Sequence, residues 1–451
     1  MRPTNRTRLC MLFFLEYLIK GAWVPLLGLY LGTNYLNFGA NQQAWVFNCF
    51  TIASITGMFF GGQLADRAMS QEKFLAFSHL IGGLAMLGLV YARTFWPFFG
   101  LTLLHCFFYV PTLSVANAVA FANVEDPKRD FGRIRLWGSA GWIAAAWPLI
   151  FIPVDWAKVP SMAEAGGFVS WISKALSTLK TGPAMESAFA GMFVVSGVAS
   201  LVLAAFCLTL PHTPPSIRKD APFAPLRAIR LLGRPSVMVL YLVTFFDSMV
   251  HNCYYFWTSR FLQSLGVPQN WIAPAMSIGQ AMEVAAMAML GLILKRLGWR
   301  TTMLIGILSQ AIRFGVYSMG SPDLLWPVIA VNLVHGFAYA CFFGALFIYV
   351  DESFPADVRS SAQSLFNVMI LGISQFASNF FWARMGDVFS STTMVAGKAV
   401  KVFDYHRLFL VPFGVSLFAA VFLAVFFHPP KDLGKELGVE EEFGEALAAT
   451  A

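Results

Sequence analysis

Glu283 and Gln280 stand three residues apart inside a long apolar stretch, a spacing that puts a carboxylate and an amide on one helical face. Such a pair can form matched hydrogen bonds to a polar solute, and the carboxylate can also bind and release a proton. Asp247, His251, Asn252 and Tyr255 crowd another apolar stretch, where Asp247 and His251 are i,i+4 neighbours able to pair or share a proton. Arg135, Ser139 and Trp142, separated by four and three, share a third face. Arg135 lies near the end of its stretch and equally fits a charge anchor there, and Trp142 is either a stacking ring or an ordinary apolar side chain. His335 and Tyr339 stand one turn apart further on and are candidates for the same substrate site, and Lys20 with Glu16 reads as a neutralised i,i+4 couple. Arg313, His79 and His105 have no assigned role; isolated residues of these types are more often structural than ligands.

These residues matter because of where composition puts them. Of 451 residues, 57% are hydrophobic and 12% charged, about half the roughly 25% charge of soluble proteins. So few charges cannot cover a water-facing surface, which excludes a soluble enzyme, a secreted disulfide scaffold and a disordered chain. Alternating segments of about ten residues, the mark of a membrane β-barrel, are absent. An ionisable group inside a membrane costs several kcal/mol unless paired or hydrated, so each one is a functional candidate. The expected fold class is all-α and polytopic. Twelve segments reach the length of about 20 residues that a bilayer requires: 9–31, 43–65, 74–92, 96–121, 135–154, 188–211, 236–262, 268–294, 301–318, 324–350, 360–385 and 405–427. The first is too long for a signal peptide and is read as a retained helix.

The net charge of +7 is not a nucleic-acid footprint, because the basic residues are scattered through short loops. They encode topology instead. Most of the 31 Lys and Arg fall on the side of the termini, as in Arg2, Arg6, Arg8, Arg129, Arg133, Arg227 and Arg230, which puts both ends in the cytoplasm of a plasma (inner) membrane protein. Two six-helix bundles, 1–210 and 236–428, are expected, joined by a cytoplasmic linker at 211–235 and followed by a cytoplasmic tail at 429–451. The outer loop 155–187 holds Phe168, Trp171, Ile172, Leu176 and Leu179 on one amphipathic face, a short interfacial helix. The six cysteines lie in apolar stretches with no metal-ligand spacing. No metal or other cofactor is expected, and a monomer is.

The two halves repeat. GGQLADR follows the second segment and GLILKRLGWR the eighth, with 229 residues from Gly62 to Gly291. VEDPKRDFGR follows the fourth and VDESFPADVR the tenth, with 228 residues from Pro127 to Pro355. A duplicated six-helix unit with parallel halves resembles the major facilitator superfamily. That resemblance implies that Gly62, Asp66 and Arg67, with Arg296 and Arg300 in the weaker copy, latch one state of the carrier. An ordinary loop ion pair is the alternative.

A narrower likeness runs through FLEYLIKGAWVPLLGLYL, FYVPTLSVANAVAF, RIRLWGSAGW, SIGQAME, SQAIRFGVY and ESFPADVRSSAQ. This succession resembles the nucleoside:proton symporter family. It implies that Gln280 and Glu283 bind nucleoside, that Arg135, Ser139 and Trp142 line the cavity, and that Asn252 and Tyr255 fill the amide-bearing positions of their helix, with His251 a competing alignment. An amide and a carboxylate suit ring nitrogens, carbonyls and ribose hydroxyls, and Trp142 suits stacking on a base. The family carries an aromatic followed by Asp in the tenth segment; this chain has Tyr339 followed by Ala340, with His335 a turn earlier. Glu283 is left as the main candidate for proton coupling, with Asp247 second. The implied activity is import of nucleosides with protons by alternating access. Rival readings are a carrier for sugars or another polar solute, and a receptor on the same fold. HExxH, Gly-x-Ser-x-Gly and P-loop motifs are absent, which argues against an enzyme or a self-contained ATP-driven pump.

Overall fold

Without water to satisfy it, backbone inside hydrocarbon must bond within its own segment, so long apolar runs fold as helices. The computed structural model describes residues 3–32, 35–67, 69–124, 127–214, 232–354, 362–363, 365–395 and 398–428. Helices α1 (Pro3–Leu31), α2 (Ala40–Arg67), α3 (Gln71–Leu89), α4 (Phe95–Asn123) and α5 (Pro127–Ala145) come first. Three short helices follow, α6 (Pro148–Phe151), α7 (Met162–Ala165) and α8 (Phe168–Ser177), before α9 (Pro183–Cys207). Then come α10 (Pro235–Ser264), α11 (Gln269–Ser318), α12 (Pro322–Glu352), α13 (Leu365–Val388), strands β1 (Ser390–Val395) and β2 (Lys398–Phe403), and α14 (Tyr405–Phe426).

Nine helices among the described residues are long and apolar enough to cross a membrane. One of them, the 50-residue α11, carries both segments read at 268–294 and 301–318 and is broken at Gly298, whose φ of 71° is open to glycine at no steric cost. The segment read at 43–65 lies on α2, and that at 135–154 on α5 and α6. Helix α8 forms where the amphipathic face is expected, with Phe168 exposed. The β1–β2 hairpin has no counterpart in the sequence reading. It pairs Ser390 with Phe403 and Thr392 with Lys401, and its Thr and Val content suits a strand.

Helix α1 packs on α5 and α9, α3 on α4 and α9, and α2 on α4. Beyond residue 235, α11 packs on α12 and α14, and α10 on α13 and α14. The two sets meet chiefly where α1 packs on α10, α2 on α13, and α5 on α11, with further contacts of α6 and α1 on α11. Two π-helical stretches interrupt the second set, Tyr339–Gly344 in α12 and Val368–Ile373 in α13. The side chains of Gly62, Asp66 and Arg67, residues 215–231 of the linker, the repeated loop at 355–361 and the tail 429–451 lie outside the described residues. Arg296 is exposed and Arg300 half-buried in α11, beside the break.

Candidate functional site

Helices from both sets enclose a cavity of about 250 Å³. From α5 come Arg135, Ser139 and Trp142; from α10, Ser248, His251, Asn252 and Tyr255; from α11, Gln280 and Glu283; from α12, Tyr339 and Phe343. Helix α1 adds Tyr17 and Lys20, α2 adds Phe50, and α13 adds Gln375 and Asn379. Eight residues named from sequence for substrate binding thus line one cavity: Arg135, Ser139, Trp142, Asn252, Tyr255, Gln280, Glu283 and Tyr339. A wider depression of about 520 Å³, lined by Arg260, Lys401, Asp404 and His406 among others, contains none of them.

Glu283 is half-buried, and among the described residues its carboxylate makes no hydrogen bond or ion pair, so it is open to the cavity. Its height is set by glycine. A Cβ on Gly336 of α12 would stand 2.3 Å from the Glu283 backbone nitrogen, so the two helices touch where the carboxylate sits. One turn away, Gln280 Nε2 donates to the Tyr255 hydroxyl at 3.3 Å. Tyr255 meets the Trp142 ring edge-on at 6.1 Å, which joins the two helix sets across the cavity. Asn252 donates to Ser378 Oγ at 2.7 Å and to Asn379 Oδ1 at 2.6 Å, and Asn379 donates to Asn48 Oδ1 at 2.8 Å. This amide relay ties α10 through α13 to α2. Arg135 donates to the Tyr17 hydroxyl and lies 4.1 Å over the same ring, so it serves the cavity wall and is not merely a charge anchor.

Three sequence expectations are corrected. His335 does not line the cavity; it is buried behind Gln280, its Nε2 3.4 Å from Gln280 Nε2. Arg313 donates to His335 Nδ1, which leaves Nε2 to carry the proton. Turning the Gln280 amide puts its oxygen in the place of its Nε2, where it accepts both from His335 Nε2 and, in place of the donation above, from the Tyr255 hydroxyl. His335 is therefore a brace, and Arg313, fully buried with a second bond to Gln310, is the brace's anchor.

Asp247 does not pair with His251. Its two carboxyl oxygens are buried and without a hydrogen-bond partner among the described residues. The His251 ring instead stacks on His335 at 5.0 Å, meets Phe343 edge-on at 5.4 Å, and points Nδ1 at Gln310 Nε2, 3.4 Å away. Ring packing has taken the imidazole away from its i−4 neighbour.

Nor do Lys20 and Glu16 form a couple. Glu16 is fully buried, accepts from Thr112 Oγ1 at 2.5 Å and meets His79 Nε2 at 2.9 Å. Tyr109 donates to the Glu16 backbone oxygen at 2.7 Å. Lys20 turns the other way, its Nζ 4.0 Å from the Phe50 ring centroid and on the cavity wall.

Sequence reasoning missed Tyr17, Phe50, Ser248, Phe343, Gln375 and Asn379 as wall residues. The i,i+4 rule that selected Arg135 and Ser139 would have found Gln375 and Asn379. Nothing in the sequence marks the π-helical turn that begins at Tyr339 and carries Phe343, although such turns often occur at functional sites. Ala340, which stands where the resembling family carries Asp, is buried in that turn and off the cavity wall.

The family model for the nucleoside H+ symporter matches residues 4–165 and 161–432. The Escherichia coli (strain K12) protein YegT is 28% identical over 438 residues, covering 93% of each chain. The xanthosine permease of the same organism is 26% identical over 436 residues, 92% of this chain and 94% of the relative. The crystal structure of the nucleoside transporter NupG matches with a TM-score of 0.77 at 21% identity, over 95% of this chain and 99% of that one. At that identity the likeness gives the fold alone, and this chain shares the fold of that transporter.

Proposed function

The chain belongs to the nucleoside H+ symporter family, and from that premise we propose how its cavity does the work. The protein is a multi-pass membrane transporter, not an enzyme, and it moves nucleosides with protons by alternating access. In our reading the nucleoside occupies the cavity, its base against Trp142 and its polar edges on Gln280, Glu283, Asn252 and Tyr255. Arg135, Ser139 and Tyr339 complete the wall.

The observation that carries this reading is the convergence of eight residues, drawn from four helices of both sets, on one cavity. A carboxylate already bonded to its neighbours has no reason to exchange protons with a substrate site, whereas Glu283 is unengaged and faces the cavity. We assign proton coupling to Glu283, with Asp247 as the second candidate. Protonation and nucleoside must each favour the same occluded state by binding it more tightly than the alternatives.

Rocking takes place between bundles at 1–210 and 236–428, linked by 211–235, with the tail 429–451 outside both. Both termini lie in the cytoplasm, the membrane is the plasma (inner) membrane, and the working unit is a monomer. Under that orientation Arg260, which donates to Gly28 O at 2.5 Å and to Gln43, closes the outer ends of α1, α2 and α10. Asn270 donates to Leu176 O at 3.0 Å at the same level. These bonds support an inward-facing state. Gly62, Asp66 and Arg67, with Arg296 and Arg300, act on the opposite, cytoplasmic side as the gating motif.

The test is uptake of radiolabelled uridine and adenosine into proteoliposomes, with and without an inward proton gradient, for wild type and Glu283→Gln. Gradient-driven accumulation that the substitution abolishes supports coupling through this carboxyl. Accumulation that survives it moves coupling to Asp247. Absence of uptake of both nucleosides by folded, inserted protein overturns the substrate.

A further inference from the structure

Among the described residues lining the cavity, Lys20 and Arg135 are cations and Glu283 is the one carboxylate. The two cations differ. Arg135 is engaged with the Tyr17 hydroxyl and lies over the same ring. The Lys20 ammonium makes no hydrogen bond or ion pair among the described residues, and its aromatic neighbours are Phe50, at 4.0 Å, and Trp142, at 6.0 Å. Glu16, the neighbour placed to neutralise it, is turned away to His79 and Thr112.

A cation over aromatic rings gains less than holding an ammonium in a membrane interior costs. Ring contacts alone therefore do not compensate Lys20. A substrate seated beside it must supply the remaining compensation. The part of the substrate that reaches Phe50 and Trp142 is a flat ring, so the compensating charge belongs on that ring.

Resting on the nucleoside reading above, we propose that Lys20 is a specificity-determining residue that selects nucleosides carrying a negative charge on the base. The base lies against Phe50 and Trp142, and its anionic edge faces the Lys20 ammonium. The same arrangement links substrate to proton. Protonating Glu283 removes the one negative side chain lining the cavity, so an anionic substrate and a proton each strengthen the other's binding, and the effect is reciprocal. A neutral base gains no such electrostatic advantage.

The experiment uses the full-length protein in proteoliposomes with an inward proton gradient and two matched pairs of probes. Orotidine differs from uridine by one carboxylate on the base; xanthosine differs from inosine by a ring carbonyl that renders the base acidic enough to ionise. Uptake is measured at a pH where xanthosine is ionised, for wild type, Lys20→Gln and Lys20→Arg. The expected result is a wild-type preference for the charged member in the ring class the protein accepts. That charged-to-neutral ratio falls about tenfold or more in Lys20→Gln, equivalent to about 1.4 kcal/mol, and is kept in Lys20→Arg. An unchanged ratio in Lys20→Gln overturns the proposal, as does an equal fall in Lys20→Arg. Competition on wild type alone decides the matter if a variant does not fold: the charged probe must be the better competitor. Wild type that accumulates neutral nucleosides in preference overturns the role of Lys20 and leaves nucleoside transport standing. Wild type that accumulates none of the four probes overturns both.

Discussion

Two glutamates in membrane helices show how differently one side chain can be used. Glu16, in α1, is closed off within its own helix set by His79 of α3 and Thr112 of α4, with Tyr109 bonded to its backbone oxygen. Glu283, in α11, has no such partners among the described residues and opens on the cavity between the sets. Burying a carboxylate is tolerable when bonds replace its water, and those bonds then hold helices together. A carboxylate left without them keeps its capacity to exchange a proton or bind a solute. The residue type is the same; the difference lies in the partners and in exposure to the cavity.

The largest effect that would break this comparison is on transport. Glu283→Gln should reduce gradient-driven nucleoside accumulation to the level seen without a gradient, while leaving thermal unfolding of the purified protein nearly unchanged. Glu16 should behave in the opposite manner. Glu16→Ala strands His79 and Thr112 in the interior and should lower stability by about 3–5 kcal/mol, read as a fall in folded yield and unfolding temperature. If Glu16→Ala is as stable as wild type and uncouples transport, the distinction drawn between the two carboxylates is lost.

A third test sharpens how Glu283 is held. Gly336→Ala pushes a methyl into the backbone of α11 at Glu283. Overpacking of this kind costs about 1–3 kcal/mol, and because the methyl meets the backbone of the residue assigned to proton coupling, the change should appear as reduced uptake with a shifted KM for protons. The smallest effect is expected at the aromatic wall. Trp142→Ala removes one stacking face, about 1–3 kcal/mol by analogy with other base-stacking residues, and should raise KM for nucleoside with coupling retained. Trp142→Phe, which keeps a ring, should recover most of that loss.

Much of the site was legible because membrane burial makes polar residues conspicuous. Arg135, Ser139 and Trp142 stand on one helical face, and so do Gln280 and Glu283; a helix has 3.6 residues per turn, so spacing alone puts them together. Where structure and sequence reading differ, the difference lies in pairing and, for His335, in placement. The i,i+4 rule suggested Lys20 with Glu16 and Asp247 with His251, yet each side chain found a different partner or none. Glu16 reaches residues 63 and 96 positions away in the chain, and no local pattern encodes that. His335 was placed on the wall because it stands a turn from Tyr339, but it points at Arg313 and braces Gln280 from behind.

The sequence by itself determined the class of molecule. Its 57% hydrophobic content and 12% charge require a membrane, and its apolar runs require helices. These follow from local physics, since a segment's solvent and its backbone bonding depend on its own composition. Tertiary packing decided which buried charges are neutralised and which are left facing the cavity. Each helix can present a residue to any neighbour within reach, and the choice depends on where six or more other helices come to rest. That is why Glu16 and Lys20, one turn apart on one face of α1, ended with different neighbours: one in a sealed cluster, the other on the wall of the cavity.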